Sequence, residues 1–100
     1  MIVRVVHFKI KPGKLDEYLG HISGVEKRVA GLEGLSFFKL FQDREDPNTL
    51  FIFTVFDSEE AIERYSELGP NKEYTDSVQP LIEEFGLAMR YDVSEATPLF

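Results

Sequence analysis

The stretch Leu35–Leu68, LSFFKLFQDREDPNTLFIFTVFDSEEAIERYSEL, decides the fold. Leu35 to Gln42 and Thr49 to Phe56 are two apolar, aromatic-rich runs. Asp43-Arg44-Glu45-Asp46-Pro47-Asn48 stands between them. Asp and Asn side chains bond their own backbone and Pro presets one dihedral, so this segment is a turn. Two strand-like runs around a polar turn predict an antiparallel hairpin. The hairpin leads straight into Asp57-Ser58-Glu59-Glu60. Either Asp57 or Ser58 can cap a helix there, and the two acids favour the positive end of its dipole. Ala61, Ile62, Tyr65 and Leu68 give that helix one apolar face.

Working outward, Ile2 to Ile10 reads as a strand rich in β-branched residues. Ile2, Val6, Phe8 and Ile10 fall on one face and Val3, Val5 and His7 on the other. A strand apolar on both faces is expected to be covered on both. Lys11-Pro12-Gly13-Lys14 breaks it, and Leu15 to about Ala30 then carries apolar residues at helical spacing: 15, 18, 22, 25 and 29. Gly20 and Gly24 lie opposite that stripe, and Gly31 and Gly34 close the helix. Beyond Gly69-Pro70, Asn71 can cap a second helical piece bearing Tyr74, Val78, Leu81 and Phe85, with a kink or restart at Pro80. Gly86 is expected to end it. Leu87 to Val93 alternates as a last strand, and residues 94–100 form a tail.

The predicted order is β-α-β-β-α-β over one domain, residues 1–100. That is the ferredoxin-like α+β arrangement, an antiparallel sheet with helices on one face. The other face would expose Val3, Val5 and one set of the hairpin aromatics. A monomer rarely exposes so large an apolar patch. Two sheets packed face to face would cover it, so a homodimeric α+β barrel is expected. The space between sheet and helices is then the natural pocket for a small apolar or aromatic ligand.

Composition narrows the function. The net charge of −7 disfavours nucleic acid and anionic membrane surfaces as partners. No apolar run approaches the roughly 20 residues of a membrane span. There is no cysteine, which excludes disulfides and thiolate metal sites. The chain opens on strand pattern rather than a charged-then-apolar leader, and a cytoplasmic location is the expectation. Nine Phe and four Tyr are a heavy aromatic load for 100 residues, enough to line both a core and a binding surface.

Several side chains are candidates for chemistry. At about 100° per residue, Glu26 falls between Leu15 and Leu19 on the first helix, within its apolar arc. A carboxylate aimed inward there would have a raised pKa and could act as a base. Thr54 is the one polar residue inside the third strand, and Tyr65 and Tyr74 lie on the apolar sides of their helices. Each tyrosine could present a hydroxyl to the pocket. His7 stands on the face assigned to the dimer, His21 on an exposed helix flank, and Arg90 on the last strand. Two separated histidines without paired carboxylates make no metal site, and no Gly-rich phosphate loop follows a strand. No cofactor or metal is expected.

Four segments resemble the antibiotic biosynthesis monooxygenase (ABM) family. Phe8-Lys9-Ile10-Lys11-Pro12-Gly13-Lys14 with Glu17-Tyr18 is similar to its opening. Gln42 to Thr49 resembles its hairpin turn, and Phe56 to Ala61 its strand-to-helix junction. Pro80-Leu81 resembles the end of its last helix. The resemblance implies a dimeric α+β barrel. It also implies activities that include cofactor-free oxygenation of quinols and anthrones, haem degradation and a carbonyl-shifting isomerisation. Where the family often shows Glu-x-Trp, this chain has Thr54-Val55-Phe56; where it often shows Pro-His, this chain has Pro70-Asn71. The haem-degrading Asn, Trp and His fall on Val6, Phe56 and Thr75, which disfavours that branch. The resemblance thus implies a cofactor-independent monooxygenase of a quinol-like substrate. Phe56 would stack on the ring, Thr54, Tyr65 and Tyr74 would bind it, Asn71 would orient it and Glu26 would be the base. The lost Glu, Trp and His favour the alternative of a binding or stress-associated barrel without catalysis. An isomerase of the same superfold is the third reading.

Overall fold

The computed structural model describes residues 1–93, and the tail at 94–100 lies outside the described residues. Strands β1 (Ile2–Ile10), β2 (Leu35–Gln42), β3 (Thr49–Phe56) and β4 (Ile82–Asp92) form one sheet. Its order is β2-β3-β1-β4, and each of the three neighbouring pairs is antiparallel. Helix α1 (Leu15–Val29) follows β1, and α2 (Glu59–Glu67) and α3 (Gly69–Val78) connect β3 to β4 through a 3₁₀ turn at Gln79–Leu81. This is the ferredoxin-like α+β topology read from the sequence.

Local chemistry explains the boundaries. In the hairpin turn, Asp43 Oδ2 accepts from the backbone N–H of Glu45 (3.2 Å) and Asp46 (2.9 Å). Asp46 in turn accepts from Asn48 N–H (3.1 Å) and the Thr49 hydroxyl (2.8 Å). Those bonds hold the Asp46 carboxyl below its usual range, the Thr49 contribution being the largest. Of the two possible caps of α2, the structure uses Ser58, whose hydroxyl accepts from Ala61 N–H at 3.2 Å. Asp57 instead accepts from the Ser36 hydroxyl at 2.9 Å and ties the end of β3 to β2.

The last third of the chain departs from expectation. Helix α3 stops at Val78, and Leu81 and Phe85 are not on it. Pro80 lacks an N–H, so the helix gives way to a 3₁₀ turn and the backbone turns extended at Ile82. Strand β4 therefore begins at Ile82, not Leu87, and pairs Ile82 with Ile10 and Phe85 with Phe8. Gly86 is no helix stop. It sits at a register shift opposite His7, where an added Cβ would stand 2.9 Å from the His7 carbonyl oxygen. A β-bulge with close backbone approach is the reason for glycine there.

The pleat sorts the side chains. Phe8, Ile10, Leu50, Thr54 and Phe56 are buried towards the helices. On that side the core forms two clusters. One contains Phe8, Ile10, Tyr18, Ile22, Leu50, Val78 and Leu81. The other joins Val25 and Val29 of α1 to Phe56, Ala61, Ile62 and Tyr65. Phe38 and Tyr74 touch both. On the opposite side of the sheet no helix of the described residues packs. Phe41 stacks on Phe51 at 4.9 Å, Phe37 and Phe53 meet edge to face at 5.7 Å, and Leu87, Met89 and Tyr91 stand exposed beside them.

A Cβ added at Gly24 would meet no other atom within 4 Å, whereas a Cβ on Gly34 (φ +88°) would meet Ala61 Cβ at 2.6 Å. Gly24→Ala should therefore stabilise the domain by about 0.5–1 kcal/mol, and Gly34→Ala should destabilise it by more than about 1 kcal/mol. Thermal melts of the two variants check this, with opposite shifts in Tm of several degrees.

Candidate functional site

A cavity of about 360 Å³ lies between the helix-facing side of the sheet and helices α2 and α3. Its size is within the range of small-molecule sites. Its floor comes from the pleat. Arg4, Val6 and Phe8 of β1 and Ile52 and Thr54 of β3 alternate onto one face, with Phe38 beside them. Its roof is α3, which contributes Asn71, Tyr74, Thr75 and Val78, with Gln79 following. Those positions follow helical spacing, so one stripe of α3 faces the space, and much of that stripe is polar. Tyr65 and Ser66 of α2 and Ile82 and Phe85 of β4 complete the walls.

The hydroxyl groups are placed by burial. Tyr18 of α1 is fully buried, and its hydroxyl lies 2.7 Å from that of Tyr74. The bond links α1 to α3 behind the cavity. Burial pushes the Tyr74 hydroxyl up to about 12, with the bond to Tyr18 pulling the other way. Burial raises Tyr18 further, aided by Tyr74. Tyr65 is also raised by burial, against the pull of the Arg4 cation. At neutral pH these phenols are protonated donors rather than bases. Thr54 is buried and donates its hydroxyl to the Arg4 carbonyl at 3.2 Å. Among the described lining residues there is no Asp, Glu, His or Lys, and Arg4 is the one charged side chain. Burial lowers the Arg4 pKa, Tyr65 opposes that, and Arg90 adds to it.

The structure brings together Thr54, Tyr65, Asn71 and Tyr74 in this cavity. Asn71 does not cap α3. That helix starts after Leu68, and the Asn71 amide donates to the Ser66 carbonyl at 3.3 Å, satisfying the end of α2. Asn71 also lines the cavity. Phe56 is fully buried and packs on Tyr65 with ring centroids 5.6 Å apart, so it supports a wall without lining it. Glu26 is not aimed inward. Leu15 and Leu19 on its flank of α1 pack against the first core cluster. Two turns further on, that flank opens onto a shallow surface depression where Glu26 sits exposed near Gly31, Ser36 and Phe37. His7 is exposed against Phe51 on the open face of the sheet, and Arg90 pairs with Glu59 at 3.0 Å. Sequence reasoning missed Arg4. Its signal was a charge in the middle of the Ile2, Val6, Phe8, Ile10 face. Thr75 and Gln79 were legible too, as the polar partners of Asn71 at helical spacing.

Fold and cavity together define a ferredoxin-like domain with a ligand-sized space between sheet and helices. A sequence profile of the antibiotic biosynthesis monooxygenase family matches residues 1–76, and the chain belongs to that family. Solved structures agree on the fold. An antibiotic biosynthesis monooxygenase superposes with a TM-score of 0.88 at 15% identity, covering 94% of this chain and 99% of the other. A candidate enzyme of the same description from Nitrosomonas europaea gives 0.88 at 16% identity over 93% and 98% of the two chains. A conserved protein from Methanosarcina mazei Go1 gives 0.85 at 18% identity over 90% and 89%. No curated protein matches the chain.

The two tyrosines yield a stability test. Their folded-state pKa values are raised, so their contribution is complete below about pH 10 and is lost as pH climbs towards about 12. Tyr18→Phe should cost about 0.5–1.5 kcal/mol at neutral pH. It should also flatten the alkaline loss of stability. Urea titrations across that pH window check both effects.

Proposed function

We propose that the protein is a homodimeric, cofactor-independent oxygenase of a small electron-rich aromatic such as a quinol or anthrone. The cavity supports this reading: one ligand-sized space, with aromatic and aliphatic walls and a few oriented donors. A flat substrate lies against Phe8, Phe38 and Ile52. Thr54, Tyr65 and Tyr74 bind its oxygens, and the Asn71 amide orients a carbonyl. Phe56 holds Tyr65 in place from behind. Loss of a proton turns the bound substrate into an anion that reduces oxygen directly. One oxygen atom stays on carbon and the other leaves as water, the substrate supplying the electrons. The exposed Glu26 has no part in this scheme. Proton loss goes to water through the mouth, favoured by the developing negative charge beside Arg4.

The described lining residues include no carboxylate or imidazole, which favours a second reading, a ligand-binding barrel without turnover. Oxygen uptake by the pure protein with reduced naphthoquinones and anthrones separates the two. The oxygenase consumes oxygen with at least one of them, and Asn71→Ala lowers that rate by about ten- to a hundredfold. No uptake from neutral to mildly alkaline pH leaves the binding reading.

The dimer rests on the aromatic side of the sheet. Phe37, Phe41, Phe51 and Phe53 form one aromatic cluster, and Val5 and Val3 of β1 stand between it and the exposed Met89 and Tyr91 of β4. Burying it is worth roughly 25 cal/mol per Å² of apolar area. Light scattering should give twice the mass of one chain, and Phe53→Glu should give a single-chain particle. A wild-type chain that runs alone removes the dimer from the proposal.

A further inference from the structure

The cavity has a polar end and an apolar end, set by register. Arg4 and Thr54 are cross-strand partners, Val6 and Ile52 come next, and Phe8 lies opposite Phe85 on β4. Arg4 and Phe8 are four residues apart on one strand, roughly 13 Å. The cation therefore sits at one end and an aromatic wall at the other.

Arg4 is placed against the interest of the fold. It is half-buried on a central strand, and its cross-strand partner on β4 is Arg90. Like charges directly opposite destabilise a sheet. The ion pairs among the described residues are Lys9–Asp46, Arg28–Glu73 and Arg90–Glu59. Glu59 thus balances Arg90, and no described carboxylate lies within pairing distance of Arg4. A half-buried guanidinium facing a cavity whose described lining holds no acid is suited to pair with an anion.

We infer that the cavity selects fused-ring aromatic acids or acidic phenols, with Arg4 as the counter-ion for the ligand's anionic group. This rests on the cavity being the ligand site, as proposed above, and it names the substrate class. The anionic group lies between the Arg4 guanidinium and the Tyr65 hydroxyl. The ring system runs along Val6 and Ile52 towards Phe8 and Phe85. A neutral ring compound would fill the same walls and leave the guanidinium unpaired, so charge is the selecting feature.

Calorimetric titration of the intact protein with 2-naphthoate and its neutral isostere 2-naphthamide tests this. The wild type should bind the naphthoate at least tenfold more tightly. Arg4→Met, which keeps the apolar stem, should remove that preference by weakening naphthoate and leaving the amide unchanged or tighter. Arg4→Lys should keep part of it, and carries the test if Arg4→Met does not fold. Equal affinities in the wild type, no binding of either compound, or a preference that survives undiminished in the variants overturns the inference. The outcome is separable from oxygen chemistry. Arg4-dependent naphthoate binding without oxygen uptake by any quinol ends the oxygenase reading alone. Uptake with neutral quinols, unchanged in Arg4→Met, together with equal binding of naphthoate and naphthamide, ends this one alone.

Discussion

A sheet whose central strands are apolar on both faces must be covered twice, and that requirement organises this protein. In β1 and β3, successive residues point to opposite sides, and both sides carry Val, Ile or Phe. The described residues supply helices for one side only. There α1, α2 and α3 bury Ile10, Leu50 and Phe56 completely or nearly so. Among the described residues, the opposite side keeps its stacked phenylalanines accessible.

The helix-covered side is not packed uniformly. Its two clusters meet at Phe38 and Tyr74, and the cavity opens where they fail to merge. The cause lies in α3. That helix sends Val78 into the core, while half-buried Asn71 and the exposed Thr75 and Gln79 border the cavity instead of filling it. The Tyr18–Tyr74 bond holds the roof at a set distance from α1. A space bounded by polar groups on one side and by Val6, Phe8 and Ile52 on the other is suited to a ligand that is itself part polar and part flat ring.

Most of the fold was legible in the residues. Asp43 to Asn48 and Ser58 act through short-range backbone bonds, so their roles follow from local chemistry. The stripe Tyr18, Ile22, Val25, Val29 buries as its spacing requires. The miss at Phe85 has a physical cause. Val78, Leu81 and Phe85 have helical spacing, but Pro80 removes a backbone donor and pairing with Phe8 and Ile10 drew the segment into the sheet. Local periodicity competed with long-range strand pairing and lost. Glu26 failed for a related reason: a position on the helical wheel gives a direction, and whether anything stands in that direction depends on where β2 ends and solvent begins.

The amino-acid order alone determined the strand and helix sequence, the apolar faces and the turn and cap chemistry, because these depend on interactions a few residues long. It also placed Tyr65 and Tyr74 on the apolar faces of their helices. Tertiary structure decided which inward positions border empty space and which are packed solid, the distinction that puts Asn71 in the cavity and Phe56 behind its wall. It also set Arg4 across from Arg90, with no described acid paired to it. That pairing is fixed by strand register over more than eighty residues of chain, a range no local pattern spans.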